Sequence, residues 1–315
     1  MSAGPVVALA GGVGAARFLR GLVQVVDPEE IVAIVNTGDD RSFYGVHVSP
    51  DLDIVTYTLA GAVDLEKGYG LAGDTTTLID RLGELGRENW FRLGDRDFAN
   101  CLHRTLSLQA GASLAETAEA LRQSYRVALR ILPMSNDACP TLVELSGGRT
   151  VHFEEYMVRD GAPSDVEAVD LSAARNARPA PGVLEAIAQA RTIVVCPSNP
   201  VVSIGPILSV PGVRAAIESS PAPVVGVSPI VGNAPVKGPA AQLLRGVGAE
   251  VSARGVAELY APWLDGFVID QQDSTQVAEI EALGVACRAV DSMMVSPAVA
   301  ASLAATVLEL AGQAA

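Results

Sequence analysis

Positive charge is scarce in this chain. Against 36 aspartates and glutamates there are 22 lysines and arginines, which gives a formal net charge of −14 over 315 residues. Only Lys67 and Lys237 are lysines. So negative a surface repels the phosphates of nucleic acid and disfavours a nucleic-acid partner. A small anionic substrate stays open, because a few local arginines or a metal ion can override the overall field.

Cysteines and long apolar runs are also few. Cys101, Cys139, Cys196 and Cys287 lie far apart, without CxxC or metal-ligand spacing, which predicts buried thiols in a reduced compartment. The first residues, MSAGPVVALAGG, lack the basic segment of a signal peptide, and no run of 18 uncharged apolar residues occurs. With 49% hydrophobic residues the chain can form a large core, so we expect a soluble, cytoplasmic protein without a membrane partner.

Short apolar runs followed by turn-rich loops indicate the fold class. Runs at 6–10, 31–35, 191–196, 223–227 and 267–270 do not alternate with polar residues, which is typical of strands buried on both faces. A helical pattern at 15–26 connects the first two. The sequence therefore predicts an α/β protein, with a Rossmann-like, doubly wound and mostly parallel sheet.

The organisation follows from the same patterns. We expect a single domain over 1–315, with its core at about 1–60 and 180–315. A helical insertion is predicted at about 61–133, including a helix at 113–130, and a β-hairpin excursion at about 134–179, where 141–145 and 150–153 flank SGGR. A C-terminal helix is predicted with Ser296 as N-cap, Pro297 in its first turn and Gly312 near its end.

The acidic stretch 36–53, NTGDDRSFYGVHVSPDLD, follows the second predicted strand directly. It carries Asp39, Asp40, Asp51 and Asp53, with His47 between the pairs. Open α/β sheets hold their ligands at the carboxyl ends of strands, and Mg²⁺ is the usual partner of crowded carboxylates beside a phosphate. The alternative is a solvated turn and a helix cap, for which Asp is a common residue.

The glycine-rich segment GGVGAAR follows the first predicted strand. Gly12 and Gly14 allow the backbone to approach an anion at a helix N-terminus, and Arg17 adds a charged donor. Arg17 stands where a dinucleotide fingerprint has its third glycine, and no Walker A Lys-Ser/Thr follows. The segment predicts a phosphate site of another kind, with an ordinary tight β-α turn as the alternative.

Two later loops, 198–207 and 228–240, are rich in Ser, Asn, Gly and Pro at the ends of predicted strands. Because they share an edge of the sheet with the glycine segment, we expect a nucleotide-sized site there, although ordinary turn chemistry is the alternative for either loop alone. The candidate nucleotide-binding or phosphate-binding residues of these loops are Ser198, Asn199, Ser203, Gly232, Asn233 and Lys237.

Two short polar motifs lie in the predicted helical insertion. Arg92 precedes LGDRD, a pattern that is commonly a surface ion-pair cluster and is otherwise suited to clamp a polar ligand. Asp74, in GDTTT, indicates first a helix N-cap and second a polar wall for a substrate.

Together these words resemble one family, the 2-phospho-L-lactate transferases of coenzyme F420 biosynthesis, whose actinobacterial members are termed FbiA and archaeal ones CofD. The matching words are GGVGAARFLRGL, NTGDD, SPDLD, LGDRD, LPMSND, PSNPVVSIGPI, SPIVGNAPVKGPA and GVAELY, in order along nearly the whole chain. A more distant similarity to the gluconeogenesis-factor proteins leaves a non-catalytic nucleotide-sugar-binding regulator as an alternative. An NAD-dependent oxidoreductase is a weaker one, since Arg17 replaces the third glycine.

The resemblance implies a homodimer that uses Mg²⁺. It implies transfer of a phospho-acid group from a guanosine-diphosphate-linked three-carbon acid to the ribityl hydroxyl of 7,8-didemethyl-8-hydroxy-5-deazariboflavin (Fo), with release of GMP. Actinobacterial relatives use the enolpyruvyl donor (EPPG) and form dehydro coenzyme F420-0, whereas archaeal ones are assigned the lactyl donor (LPPG). Asp53 and Arg92 match family residues that contact Fo.

These observations combine into one site hypothesis. We expect Asp40, Asp53 and Asp39 to hold Mg²⁺, and Asp53, Asp51 and Asp40 to be the catalytic candidates, with Asp51 or Asp53 accepting the proton of the attacking alcohol. Asp53, Arg92 and Asp74 are the candidates for binding Fo.

Overall fold

The computed structural model describes residues 4–314, which contain fourteen strands and thirteen α-helices. The strands are β1 (Val6–Ala10), β2 (Ile31–Val35), β3 (Arg41–Phe43), β4 (Val46–Val48), β5 (Arg130–Pro133), β6 (Leu142–Leu145), β7 (Arg149–His152), β8 (Val166–Asp170), β9 (Thr192–Val195), β10 (Val224–Val227), β11 (Ile230–Val231), β12 (Ala234–Pro235), β13 (Gly266–Asp270) and β14 (Ala286–Val290).

The helices vary from single turns to five turns. They are α1 (Gly12–Leu22), α2 (Pro50–Leu59), α3 (Thr77–Glu84), α4 (Asp95–Gln109), α5 (Leu114–Ser124), α6 (Ser172–Arg175), α7 (Val183–Ala188), α8 (Gly205–Ser209), α9 (Val213–Ser219), α10 (Ala240–Gly246), α11 (Ala253–Tyr260), α12 (Val277–Glu281) and α13 (Pro297–Ala314). Two π-helical turns, Glu155–Arg159 and Pro200–Ile204, lie next to the site described below.

Seven parallel strands form the central sheet, in the order β14-β13-β10-β9-β1-β2-β5. The chain starts in the middle, proceeds outwards through β2 and β5, and then continues on the other side of β1 from β9. This is the doubly wound arrangement that the sequence predicts, and its strand order reverses between β1 and β9. Ligands of such sheets bind at that reversal, beyond the carboxyl ends of the strands.

Both faces of the sheet are covered, which explains why its strands are apolar without alternation. On β1, Val7 and Leu9 contribute to the core on one face, whereas Val6, Ala8 and Ala10 contribute to the core on the other. All five residues are fully buried. Successive residues of β1 therefore alternate between the two faces of the sheet. The sequence does not show this alternation, because both faces are apolar.

Several boundaries differ from the sequence expectations. Arg130–Pro133, which we assigned to the end of a helix and of the helical insertion, is β5 at one edge of the central sheet. The opposite edge, β14, was not predicted, and the excursion contains a third strand, β8, beside the expected β6–β7 hairpin. The predicted helix at 113–130 ends at Ser124, because the chain must turn into β5.

The C-terminal helix α13 is a core helix. It begins at Pro297 after Ser296, whose Oγ accepts a hydrogen bond from the Val299 amide at 3.3 Å, as predicted for an N-cap, but it continues past Gly312 to Ala314. Its length and composition would allow it to cross a membrane, and the bent pair Pro200–Ser209 and Val213–Ser219 passes the same test. Its buried side, however, joins the core between α1 and the sheet.

A small apolar cluster packs against the acidic stretch 36–53. Phe43, on the β3–β4 hairpin, stacks on Phe91 at 3.9 Å between ring centroids and meets the edge of Trp90. Residues of α3 and α4 complete this separate apolar cluster. It fixes the loop that carries Arg92 and the start of α4 against the stretch 36–53.

Candidate active site

A cavity of about 780 Å³ lies beyond the carboxyl ends of the central strands. Its lining includes the residues that directly follow β1, β9 and β10, together with the start of α2, the 67–76 segment and the residues after β7. This is the topological reversal point of the sheet. Loops from distant parts of the sequence therefore converge on one site.

The glycine loop is fixed by close contacts. Ser198 Oγ accepts a hydrogen bond from the Gly11 amide at 3.2 Å and donates one to the Gly11 carbonyl at 2.8 Å. Gly12 has a φ of +68°, and a side chain on Gly14 would place its Cβ 2.1 Å from the carbonyl oxygen of Pro197. Glycine is required here by the approach of two backbones, and the loop opens α1 with its N-terminus at the cavity.

Three cationic side chains line this part of the cavity: Arg17, Lys67 and Lys237. Lys237 Nζ donates a hydrogen bond to the Lys67 carbonyl at 2.7 Å. Burial, and then the charge of Arg17, lowers the pKa of Lys237. A Cβ placed on Gly68 would be 3.2 Å from Lys237 Nζ and 3.8 Å from Arg17 Nη2, so these cations lie close together. Both lysines of the chain thus lie at one cavity; Lys67 was not predicted.

The two polar loops divide between the cavity and the scaffold. Ser198, Asn199 and Ser203 line the cavity, and Asn199 Oδ1 also accepts the Val201 amide at 2.9 Å. Gly232 and Asn233 do not line it, since they form the turn of the β11–β12 hairpin. The Gly232 amide donates to Asp273 and Asn233 Oδ1 accepts from Gln276, which fixes the hairpin to the neighbouring loop.

Asp51 connects the acidic stretch to the glycine loop. Its Oδ1 accepts the Gly12 amide at 2.8 Å, and its Oδ2 accepts Asn36 Nδ2 at 2.9 Å. Burial raises the pKa of Asp51 to about 7, although both hydrogen bonds act in the opposite direction. A buried carboxylate that lines the cavity beside the glycine loop is suited to exchange a proton near neutral pH.

Asp39 and Glu154 are two further buried acids of the cavity lining. Burial, followed by the charges of Asp51 and Glu154, raises the pKa of Asp39 well above its usual range. Burial, followed by the charge of Asp51, raises the pKa of Glu154 to about 8. Glu154 was missed because it lies in the β excursion, where its one signal is its position directly after a predicted strand.

Asp40 is oriented differently from Asp39 and does not line the cavity. Its Oδ2 accepts a hydrogen bond from Ser49 Oγ at 2.7 Å and lies 3.0 Å from His47 Nε2. Burial still raises the pKa of Asp40, although His47 opposes the shift. The histidine between the two aspartate pairs therefore orients an acid of the stretch.

Asp53 forms a buried ion pair with Arg104. Both guanidinium Nη atoms donate to its carboxylate, with Nη1 and Oδ2 at 3.1 Å, and Arg104 also donates to the His47 carbonyl at 3.2 Å. Each of the two residues is less than 5% exposed. Arg104, from the middle of α4, was not predicted. It neutralises Asp53, which the sequence made a candidate both for holding the metal and for accepting the proton.

Asp97 lies beside this pair. Tyr57 donates its hydroxyl to Asp97 Oδ1 at 2.7 Å, and burial, then the charge of Asp53, raises the pKa of Asp97 to about 7. Ligand atoms of Asp53, Asp97 and Cys101 lie within 4.8 Å of one another. Arg104 contacts both Asp53 and Cys101, so an arginine already supplies the positive charge of this group.

Arg92 and Asp74 both line the cavity, with their polar groups partly engaged. Arg92 Nη2 donates to Thr76 Oγ1 and to Asp80 Oδ1, each at 2.7 Å. Asp74 accepts the amides of Arg96 and Asp97, at 3.0 and 3.1 Å, in the first turn of α4. Asp74 therefore caps a helix, which is the role that the sequence indicated first. The helix that it caps is α4, and not α3, which follows Asp74 directly in the sequence.

An apolar wall completes the cavity. It consists of side chains from four segments, namely Val48, Ile54, Phe91, Leu93, Phe153, Met157 and Val158. A cationic glycine loop, buried carboxylates and an apolar wall in one cavity fit a ligand pair in which one partner is a diphosphate and the other contains a flat ring system.

Comparison with known proteins shows the family of this chain. The sequence model of the family described as 2-phospho-L-lactate transferase CofD matches residues 6–301. A phosphoenolpyruvate transferase from Kitasatospora aureofaciens is 51% identical over 314 residues, covering 98% of each chain. A 2-phospho-L-lactate transferase from Methanosarcina mazei is 38% identical over 303 residues, covering 96% of this chain and 99% of its own.

Among solved structures, a member of the UPF0052 family from Bacillus halodurans superposes with a TM-score of 0.61 at 20% identity, covering 98% of this chain and 99% of its own. That likeness concerns the fold. The family match spans nearly the whole chain, and the similar proteins are named as transferases. This chain therefore belongs to the 2-phospho-L-lactate transferase CofD family and is an enzyme of the transferase class.

Proposed function

We propose that the protein transfers the phosphoenolpyruvyl group of EPPG to the ribityl hydroxyl of Fo, giving dehydro coenzyme F420-0 and GMP. The observation that carries the proposal is the single cavity in which the glycine loop and its cations meet buried carboxylates and an apolar wall. The 51% identity to a phosphoenolpyruvate transferase supports the enolpyruvyl donor. Fo supplies the flat ring for the apolar wall, and Arg92 is the polar group that we propose to place it.

The donor diphosphate belongs at the N-terminus of α1. The first amides of a helix have no intrahelical acceptor, and the Val13 and Gly14 amides lie in this turn. Arg17, Lys67 and Lys237 supply positive charge beside them. Ser198, Asn199 and Ser203 offer polar groups for the remainder of the nucleotide.

Arg17→Ala is expected to weaken the binding of GDP about tenfold or more, because charge-assisted hydrogen bonds contribute about 1.5–3 kcal/mol. Guanosine, which has no phosphate, should bind the variant and the wild type alike. Calorimetric titration with both ligands measures the difference. Arg214→Ala, which removes an exposed arginine paired with Glu218, is the matched control and should leave both affinities unchanged. Equal loss for guanosine and GDP would place Arg17 away from the phosphates.

The transfer itself is a substitution at phosphorus. The Fo hydroxyl oxygen forms a bond to the phosphorus that carries the enolpyruvyl group, and the bond from that phosphorus to the bridging oxygen breaks, so GMP leaves with that oxygen. The hydroxyl proton needs an acceptor. We assign this role to Asp51, because it lies in the cavity at the glycine loop, whereas Asp53 is engaged by Arg104.

Mg²⁺ is proposed as the metal. When bound, it neutralises diphosphate oxygens and holds the leaving group, which is the usual contribution of a metal to such transfers. Of the predicted ligands, Asp39 fits best, because its buried Oδ1 accepts no hydrogen bond within residues 4–314 and the side chain lines the cavity. Asp53 fits poorly, since its carboxylate already has a cationic partner.

The second candidate reaction is transfer of 2-phospho-L-lactate from LPPG, which the name of the family and of the Methanosarcina mazei relative favours. The donors differ by two hydrogens. Incubating the protein with Fo, Mg²⁺ and each donor in turn, and identifying products by mass, is expected to give dehydro coenzyme F420-0 with EPPG as the faster reaction. Absence of product from both donors would remove the transferase proposal, and tight binding of a UDP-sugar without Fo binding would favour a regulator.

We also propose a cytoplasmic homodimer. Buried or half-buried free cysteines support the location. Leu102 and Leu106, one turn apart on α4, are 40% and 56% exposed, which is the kind of apolar surface that a second subunit covers. The oligomeric state is measurable by light scattering.

A further inference from the structure

Buried oxygen atoms without partners cluster around the turn between β2 and β3. Within residues 4–314, no hydrogen bond reaches Thr37 Oγ1, Asp39 Oδ1 or Thr141 Oγ1, although all three residues are at least 95% buried. The Thr141 hydroxyl lies against this turn, because a Cβ on Gly38 would be 2.3 Å from its oxygen. Buried polar atoms are normally satisfied, so this group of oxygens indicates a missing partner.

Glu154, which follows β7 in the β excursion, extends the group. It is 3% exposed, lines the cavity with Asp39, and its carboxylate takes part in no hydrogen bond or ion pair with the residues of the described chain. The next residue, Glu155, behaves in the ordinary way, since it pairs with Arg41 and Arg159, each at 2.9 Å. Two adjacent glutamates thus have opposite environments.

The backbone holds Glu154 in this position. The Phe153 amide donates to the Thr141 carbonyl at 3.0 Å, and the Glu154 amide donates to His152 Nδ1 at 3.1 Å. A π-helical turn begins immediately afterwards. The end of the β excursion therefore fixes the backbone of Glu154, with its side chain at the cavity.

Within residues 4–314, no cationic side chain forms an ion pair with Asp39 or Glu154. The charge of Arg41 acts on Glu154, but its guanidinium is bound to Glu155. Arg104 is bound to Asp53. Carboxylates and hydroxyls without a cation form a set of hard oxygen donors, which suits a divalent ion such as Mg²⁺.

We propose that Glu154 and Asp39 are paired ligands of the divalent cation, so that the β excursion contributes a metal ligand to the doubly wound core. The role of that cation in catalysis rests on the proposed function, but its binding does not. In the metal-free protein, the unpaired carboxyl group of Glu154 also lowers the stability, relative to a neutral side chain at position 154.

The experiment compares Glu154→Gln with Glu155→Gln as a matched control. Calorimetric titrations with Mg²⁺ and Mn²⁺ are made with the full chain, alone and with saturating GDP, and thermal unfolding is recorded without metal. Glu154→Gln is expected to bind Mg²⁺ at least about tenfold more weakly than wild type, because divalent-cation affinity depends strongly on the number of ligand charges. Without metal it should unfold at a higher temperature, because burying an amide without a partner costs less than burying an ionisable carboxyl group.

A weaker cation site together with a more stable metal-free protein is a combination that a merely structural residue would not give. Glu155→Gln should weaken the two partly buried ion pairs with Arg41 and Arg159. It should leave the metal affinity unchanged and should not raise the unfolding temperature. Mg²⁺ affinity of Glu154→Gln within about twofold of wild type, under both conditions, would overturn the assignment. These titrations contain neither Fo nor the donor, so they test the cation site alone. A wild type that binds Mg²⁺ here but forms no product in the separate assay with Fo and either donor would refute the transfer and leave the cation site standing.

Discussion

Arg104→Met is expected to lower the free energy of unfolding by about 3–5 kcal/mol, because it leaves the Asp53 carboxylate buried without its partner. Arg104 is 3% exposed and contacts Asp53, the His47 carbonyl and Cys101. Asp97 and Tyr57 lie nearby and add no positive charge. Urea unfolding followed by circular dichroism measures the loss.

Two variants test the origin of this loss. Arg178 pairs with Asp137, and its side chain is 87% exposed. Arg178→Met should therefore lower the free energy of unfolding by about 1 kcal/mol or less. Adding Asp53→Asn to Arg104→Met should recover much of the stability, since the uncompensated charge is then absent. If Arg104→Met costs no more than Arg178→Met, the buried pair does not stabilise the fold in the way proposed.

The sequence predicted the interior of the sheet better than its edges. Runs such as 6–10 and 31–35 are buried on both faces and therefore have no polar positions to obscure them. Both edge strands lack this signal, since β5 begins with an exposed arginine and ends in proline, and β14 carries Cys287 and Arg288. An edge strand is covered less completely, so its composition resembles that of a loop.

The site was predictable where one segment supplied it and unpredictable where distant segments met. The glycine loop and the aspartate stretch stand out in the sequence, and both line the cavity. Arg104 lies 51 positions after Asp53, on a helix whose polar residues give no sign of which one points inwards. Gly232 and Asn233 are the opposite case, since they were predicted to bind the nucleotide and instead form a tight turn. Glycine and asparagine are common both in turns and in ligand-binding loops, so the sequence does not distinguish the two.

The arrangement also explains how a doubly wound sheet with a glycine loop can serve a reaction other than hydride transfer. In this loop the Gly12 amide is already taken by Asp51, and Arg17 occupies the place where close helix–strand packing would require glycine. The acid and the glycine turn are thereby held in contact. In the transfer that we propose, this contact would bring a proton acceptor to the end of the donor diphosphate.

Asp51→Asn is accordingly expected to lower kcat for the transfer about 10²–10⁴-fold, the usual contribution of a positioned base. Asparagine has nearly the same size, and its one carbonyl oxygen can keep only one of the bonds from Gly12 and Asn36. A stability cost of about 1–3 kcal/mol is expected as well. Rapid-quench measurement of product, with saturating donor, Fo and Mg²⁺, gives the rate of the chemical step.

Binding must be shown to survive for this rate to be interpretable. The variant should retain GDP affinity within about threefold of wild type, because the cations and the first-turn amides of α1 are unchanged. The unfolding temperature of the variant is measured first, so that the assay is run at a temperature at which both proteins are folded. A correctly folded Asp51→Asn that binds GDP and turns over within about tenfold of wild type would show that the hydroxyl proton leaves by another route, and Asp97, the other cavity acid whose pKa burial raises to about 7, would be the next residue to replace.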